Sequence, residues 1–303
     1  MFCILIAGRS VPKYMGQRSR RILLLHLCLA LSPLARAESP AWVRANTLYH
    51  GTDYNASLAL LLPLEKKDAA ALQLIGQDYF MLGEYSKATE FLERAVATGA
   101  VNPDCLLWLG RAFGRRAETS GPFTAPGYAA KSRQMLEKAV ALDPANREAV
   151  GDLFDYYLEA PGFLGGGENK AAALADQVAR HDPAEGHYYQ ALLDEQRKKY
   201  DSAEQHLRTA LELAPRQVGR FLALAQYLAL RGRTKESDAL FEEAERIAPD
   251  APAVLYERAQ IYIRTGRNLD EARRLLHRYL GAHLTPDDPP RSEAEALLRK
   301  IGA

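Results

Sequence analysis

The 303-residue chain predicts an all-α fold, a solenoid of about six antiparallel helix pairs with capping helices at its two ends. Three observations carry this. Beyond residue 37, Ala, Leu, Glu, Arg and Lys dominate, and apolar residues recur at steps of three and four, with almost no strand-like alternation. A fixed internal period follows: Pro215 to Pro249, Ala191 to Ala225 and Ala210 to Ala244 each span 34 residues. Finally, very small residues return in pairs at matching places, which is what two closely crossing helices require.

The N-terminal segment stands apart from this pattern. Residues 1–37 hold six basic residues (Arg9, Lys13, Arg18, Arg20, Arg21, Arg36) and no acidic ones. "MGQRSRR" supplies a positive region, Ile22 to Leu34 an apolar run of 13 residues, and "ARA" (Ala35 to Ala37) a small-residue cleavage site. A signal peptide over 1–37 is therefore expected, and with it an exported, periplasmic protein of bacterial type. Left uncleaved, the leader would anchor the chain. The apolar run is shorter than the roughly 20 residues that span a bilayer, and no later segment comes closer, so no membrane span is expected in the mature chain.

The remainder carries 33 basic and 38 acidic residues, a balance unsuited to nucleic acid or anionic membrane surfaces. Of three cysteines, Cys3 and Cys28 fall in the leader, leaving Cys105 alone beside Leu106 and Leu107 as a small buried hydrophobe. No internal disulfide can form and no CxxC motif or Cys/His ligand set occurs, so stability must come from packing.

Residues 38–68 form a capping region, with "YNASLALLLPLEKK" read as a lone second helix. The repeats then occupy 69–285, and each is located by a small residue on its first helix and another on its second. The pairs are Gly76 and Ala88, Gly110 and Ser132, Gly151 and Ala171, Ala191 and Ala203, Ala225 and Ser237, and Ala259 and Ala272. Pro144, Pro183, Pro215 and Pro249 read as terminators of second helices. After the Pro-rich break "TPDDPP", residues from Ser292 onward read as a C-terminal capping helix, which makes 286–303 the C-terminal capping region.

"ALQLIGQDYFMLGEYSKATEFLERAV" carries a recognisable set: Gly76, Tyr79, the turn residues Gly83 and Tyr85, then Ala88, Leu92 and Ala95. With the 34-residue period, these segments resemble the tetratricopeptide repeat (TPR), over roughly residues 53–285. The resemblance implies a right-handed TPR α-solenoid whose first helices line a concave wall, and a protein-binding scaffold rather than an enzyme. "WLGRAFGRRAE" and "APGFLGGGENKA" also resemble a group of exported bacterial TPR proteins without an assigned biochemical role.

Two spacings break the pattern. Gly110 to Ser132 and Gly151 to Ala171 are 22 and 20 residues apart, against 12 or 13 elsewhere, so loops are expected at 117–128 and 160–170. The second holds "GFLGGGEN", which could suggest a phosphate cradle. Lys170 is followed by Ala171 rather than Ser or Thr, and no strand precedes it, so a P-loop fails and a dinucleotide fingerprint fails with it. Adjacent repeats should bring the two loops together, with Phe123, Tyr128, Phe163 and Leu164 forming a ridge or covering one another.

Placed on the resemblance, the concave wall receives Gln73 and Gln77, then Trp108, Arg111 and Arg115, then Glu148, Asp152 and Asp155. Tyr188 and Glu195, Gln226, and finally Tyr256, Gln260 and Arg264 complete it. A protein or peptide partner could meet the arginines and aromatic groups there. Alternatively, Arg111 and Arg115 pair with Glu148 and Asp152 and hold the stack together. The Lys and Asn of the carboxylate clamp that captures acidic chaperone tails are missing from these positions.

Catalysis has little support. His181 and His187 are six apart around a proline, a poor metal spacing, and neither HExxH nor GxSxG occurs. No cofactor and no metal are expected. A second reading is an accessory protein that grips an envelope polysaccharide or assists its export, with groove aromatics stacking on sugars.

Overall fold

The computed structural model describes residues 39–99 and 102–302, and the regular structure among them is entirely helical. The expected signal peptide lies outside the described residues. Seven helical hairpins follow in order: α1 (Pro40–His50) with α2 (Tyr54–Leu61), α3 (Ala69–Met81) with α4 (Tyr85–Ala97), and α5 (Pro103–Thr119) with α6 (Ala125–Leu142). Then come α7 (Arg147–Glu159) with α8 (Glu168–Ala179), α9 (Pro183–Gln196) with α10 (Tyr200–Leu213), α11 (Val218–Leu230) with α12 (Thr234–Ile247), and α13 (Pro252–Thr265) with α14 (Leu269–Gly281). Helix α15 (Arg291–Lys300) packs on α13 and α14 as a cap.

Helix starts are written in the sequence. Ser39, Asp68, Asn102, Asn146 and Asp182 each accept a hydrogen bond from the first turn that follows, and Pro40, Pro103, Pro183 and Pro252 occupy first-turn positions where no amide hydrogen is needed. Pro183 thus opens α9, whereas the sequence reading made it the end of the preceding helix. Helix α1 was also missed, so the region read as a lone helix is a hairpin stacked on α3.

The small residues do what their spacing suggests. A Cβ on Gly76 would sit 2.5 Å from Leu92 Cγ, and one on Gly110 would sit 2.9 Å from Leu136 side-chain carbons, so each leucine fills the space a side chain would take. Ala88, Ala191, Ala203, Ala225, Ala259 and Ala272 are all buried at their crossings. Gly151 is the exception, because a Cβ there would meet only the Tyr189 hydroxyl at 3.4 Å, an ordinary contact.

Five hairpins close with the same turn. The amides of Asp53, Glu84, Lys199, Arg233 and Arg267 donate to the carbonyls of Leu48, Tyr79, Asp194, Leu228 and Tyr262, at 2.8–3.0 Å. The residue before each donating amide is left-handed: Thr52, Gly83, Lys198, Gly232 and Gly266.

The other two hairpins carry the insertions and abandon this turn. Between α5 and α6 the extra residues lengthen both helices, leaving only residues 120–124 outside them rather than a loop over 117–128. Between α7 and α8 a 3-10 turn at Gly162–Leu164 is followed by three glycines, and residues 168–170 already belong to α8.

Candidate functional site

The expected groove residues are largely engaged with one another. Arg111 Nε donates to Asp152 Oδ2 at 2.5 Å, its Nη1 lies 3.0 Å from Glu148 Oε2, and its guanidinium covers the Trp108 ring. Arg115 behaves differently from the expected stacking role. It donates to the Tyr85 hydroxyl at 3.1 Å and pairs with Glu118 at 2.7 Å, within its own helix, rather than with Glu148 or Asp152. Trp108 is half-buried, edge-on to Phe80. Gln73 accepts from Asn102 at 3.2 Å, and Gln226 donates to Glu257.

Two aromatic residues assigned to the wall are not available on it. Tyr188 is 7% exposed, under the Arg220 guanidinium. Tyr256 is 4% exposed, and its hydroxyl donates to Glu293 of the capping helix at 3.3 Å. The cap covers what the sequence placed in an open groove. Gln77 and Asp155 are half-buried, whereas Gln260 and Arg264 are exposed.

Charge pairs between hairpins continue along the stack. Glu185 is held between Arg147 of the preceding hairpin, at 2.6 Å, and Arg220 of the following one. Arg233 reaches back to Glu204 at 2.6 Å, and Arg267 reaches back to Asp238 at 2.9 Å. Many of the arginines that could greet a ligand are therefore committed to holding neighbours in register.

The inserted edge divides its apolar residues. Tyr128 lies flat against Phe113, with its ring under Arg116, and Leu164 is buried in the largest core cluster. Phe123 is 98% exposed and Phe163 is 84% exposed. The expected four-residue ridge is thus two anchors turned inward and two phenylalanines turned out. The 3-10 turn of the second insertion contacts helix α6, where Gly165 faces the Arg133 side chain.

The glycine-rich stretch folds onto its own hairpin. Gly167 donates to the Tyr157 carbonyl at 2.7 Å, the Tyr156 hydroxyl donates to the Leu164 carbonyl at 2.9 Å, and Lys170 Nζ donates to the Gly165 carbonyl at 2.8 Å. A Cβ on Gly166 would fall 2.0 Å from the Ala160 carbonyl oxygen, so a side chain has no room there. The lysine that suggested a phosphate site spends its charge on the loop itself.

No protein-family model matches the sequence, and no curated protein matches it. Solved structures do. The chain is similar to a tetratricopeptide repeat protein from Parabacteroides merdae, at 14% identity and a TM-score of 0.54, covering 87% of this chain and 98% of that one. It is also similar to the C-terminal part of a TPR repeat-containing protein from Cytophaga hutchinsonii, at 16% identity and a TM-score of 0.48, covering 85% of this chain and 99% of that one. The fold is a TPR solenoid.

Among the described residues no helix is long and apolar enough to cross a membrane, and no group of three or more His, Cys, Asp or Glu converges as a metal centre. Cys105 is buried, and burial, with Asp104 beside it, pushes its thiol up to about 11, away from nucleophilic use.

Three acids within the TPR stack hold their protons more tightly than usual. Burial raises Asp78 to about 8 against the opposing Ser57 hydroxyl, which donates at 2.7 Å. Burial raises Glu257 to about 7, with Gln226 opposing. Burial likewise raises Glu118 to about 7, opposed by Arg115 and reinforced by Glu159 and Glu293. Asp78 and Glu118 each keep one oxygen without a hydrogen-bond partner. The sequence reading named none of these three, since nothing in a sequence separates a buried acid from the exposed ones around it. His187 was weighed with His181, but the fold sets it against His206, 2.8 Å away across the α9–α10 hairpin.

Proposed function

We propose that the protein is an exported TPR scaffold that holds a protein partner against the inserted edge of its third and fourth hairpins, with Phe123 and Phe163 as the anchors. One observation carries the choice of face: two phenylalanines stand almost wholly in water on the inserted segments of consecutive hairpins, while Arg111 and Arg115 of the groove already have partners within the chain. Exposing a phenylalanine forgoes roughly 1.5–3 kcal/mol of burial, and two on consecutive hairpins suit insertion into apolar pockets of a partner. Residues 119–125 and 160–167 carry no charge, so such a contact would desolvate no ion. Export rests on the leader at 1–37, and sequencing the N-terminus of the secreted protein should place it just after Ala37. The polysaccharide reading gains no support, because Tyr188 and Tyr256, which would stack on sugars, are buried.

Site-specific photo-cross-linking in the native envelope tests the face. Probes at positions 123 and 163 should capture one common partner, and probes at Gln77 and Gln260 in the groove should not. Capture from the groove positions alone would return the site to the concave wall.

A further inference from the structure

We propose that His187 and His206 form a two-imidazole site for a divalent transition metal of tetragonal preference, copper(II) before nickel(II). His187 lies in the second turn of α9 and His206 in the middle of α10, and their Nδ1 atoms face each other at 2.8 Å with ring centroids 5.1 Å apart. The helices beneath them are fixed. Ala191 and Ala203 are buried at the crossing, and Gly186 lets α9 approach so closely that a Cβ there would meet Ala179 Cβ at 2.4 Å.

Two imidazole nitrogens at that separation can share one proton between them and have no room for a second. Imidazole ligates a metal through an unprotonated nitrogen, so an ion entering here would displace the proton the two rings share. Their spacing also selects an ion. Two nitrogens bound at about 2.0 Å and at right angles to one another lie about 2.8 Å apart, whereas a tetrahedral ion spreads them to about 3.3 Å. A square-planar or tetragonal ion keeps that separation once the two rings turn their lone pairs from each other toward it; a tetrahedral zinc ion would also have to part them.

The opposite nitrogen of His206 has a carboxylate behind it. Nε2 lies 3.8 Å from Asp194 Oδ2, and Asp194 is positioned by Ser202 and by Arg197 at 3.5 Å. At that distance the carboxylate adds negative charge beside the site without a hydrogen bond to the ring. Both histidines are partly exposed, so water would complete the coordination, giving an exchangeable site rather than a closed structural one.

Titration of the full chain with copper(II) alone tests the proposal. One copper per chain should bind with two nitrogen ligands visible by electron paramagnetic resonance. His187→Gln and His206→Gln should each weaken binding at least tenfold, and His181→Gln should leave it unchanged. Zinc(II) should bind at least tenfold more weakly than copper. In the unaltered chain, copper should broaden the imidazole resonances of His187 and His206 before those of any other histidine, a readout that does not depend on how a variant folds. Unchanged affinity in both glutamine variants, copper bound without these imidazoles, or tighter zinc binding would overturn it.

Discussion

The α9–α14 hairpins and the α5–α8 hairpins solve one problem in two ways. In the first region each pair of helices turns on a left-handed residue, joined by a second, Asn268, in the last pair, and a carbonyl five residues back from the entering amide closes the turn. The helices are nearly equal in length, and side chains such as Arg233 and Arg267 tie each hairpin to the one before it. In the second region the turn is replaced. Helices α5 and α6 run to 17 and 18 residues, and α7 and α8 are joined by a 3-10 turn and three glycines. The extra chain wedges Tyr128 and Leu164 into the core and leaves Phe123 and Phe163 outside. Regularity builds a stackable unit, and departure from it builds a surface unlike the others.

That contrast breaks first at the glycines. Gly166→Ala should cost about 3 kcal/mol in urea unfolding, because its Cβ would collide with backbone that cannot move aside. Leu164→Ala should cost about as much by emptying a buried site. Gly76→Ala, in a regular hairpin, should cost only about 1–2 kcal/mol, since the obstructing Leu92 can shift its side chain.

Charge sharpens the contrast next. Glu118, at the end of the lengthened α5, has its folded pKa raised by burial to about 7, so the folded state prefers it protonated. Its contribution to stability falls as pH rises from the unfolded value near 4.5 towards 7. Glu118→Gln should therefore be near neutral at pH 5 and stabilising by about 1–2 kcal/mol at pH 8, measured as the difference between unfolding free energies. Glu204 in α10 should show the opposite sign. Burial there raises its pKa, but hydrogen bonds from Arg208 and Arg233 outweigh it and hold the carboxyl below its usual range. Its stabilising charge is present above about pH 4.5 and is lost on acidification, so Glu204→Gln should be destabilising at pH 8 and less so at pH 4.

The regular turns themselves are not all equally relaxed. Gly83, Gly232 and Gly266 take the left-handed position without strain, but Lys198 and the β-branched Thr52 occupy the same place. Lys198→Gly and Thr52→Gly should each gain about 1 kcal/mol, seen as a rise in melting temperature. A loss on either substitution would mean that these turns are not equivalent to those of the glycine-bearing hairpins.

The same contrast governs how far the sequence could be read. The 34-residue recurrence of Pro215, Ala191 and Ala210 marks the regular hairpins, since each landmark has one physical job and the job repeats. Helix α1 escaped because its turn residue is Thr52, where composition gives no hint of a left-handed backbone, although Ser39–Pro40 is a sound helix start. The insertions were counted from their spacing and read as loops, where the structure puts much of their length into helices. A count of extra residues does not distinguish a loop from helices one turn longer, and Pro126 sits in the first turn of α6, where a proline opens a helix as readily as it fills a loop. The groove was overestimated because a side chain on the inner face can still be covered by a distant segment, as Glu293 of α15 covers Tyr256. The meeting of His187 with His206 was legible only by counting outward from the Lys198 turn, not from the nearer His181.

The smallest effect on stability should come from the most conspicuous side chains. Phe123→Ser and Phe163→Ser together should move the unfolding free energy by no more than about 0.5 kcal/mol, because neither ring has packing to lose. If the inserted edge is the contact face, the same double variant should nonetheless weaken capture of the partner that probes at 123 and 163 identify, and Arg111→Ala should do the reverse. Removing that guanidinium takes one ion pair from Glu148 and one from Asp152 between the third and fourth hairpins, lowering the melting temperature while leaving capture intact. A stable double-serine variant that still captures the partner at full strength would leave the two phenylalanines without a role in binding.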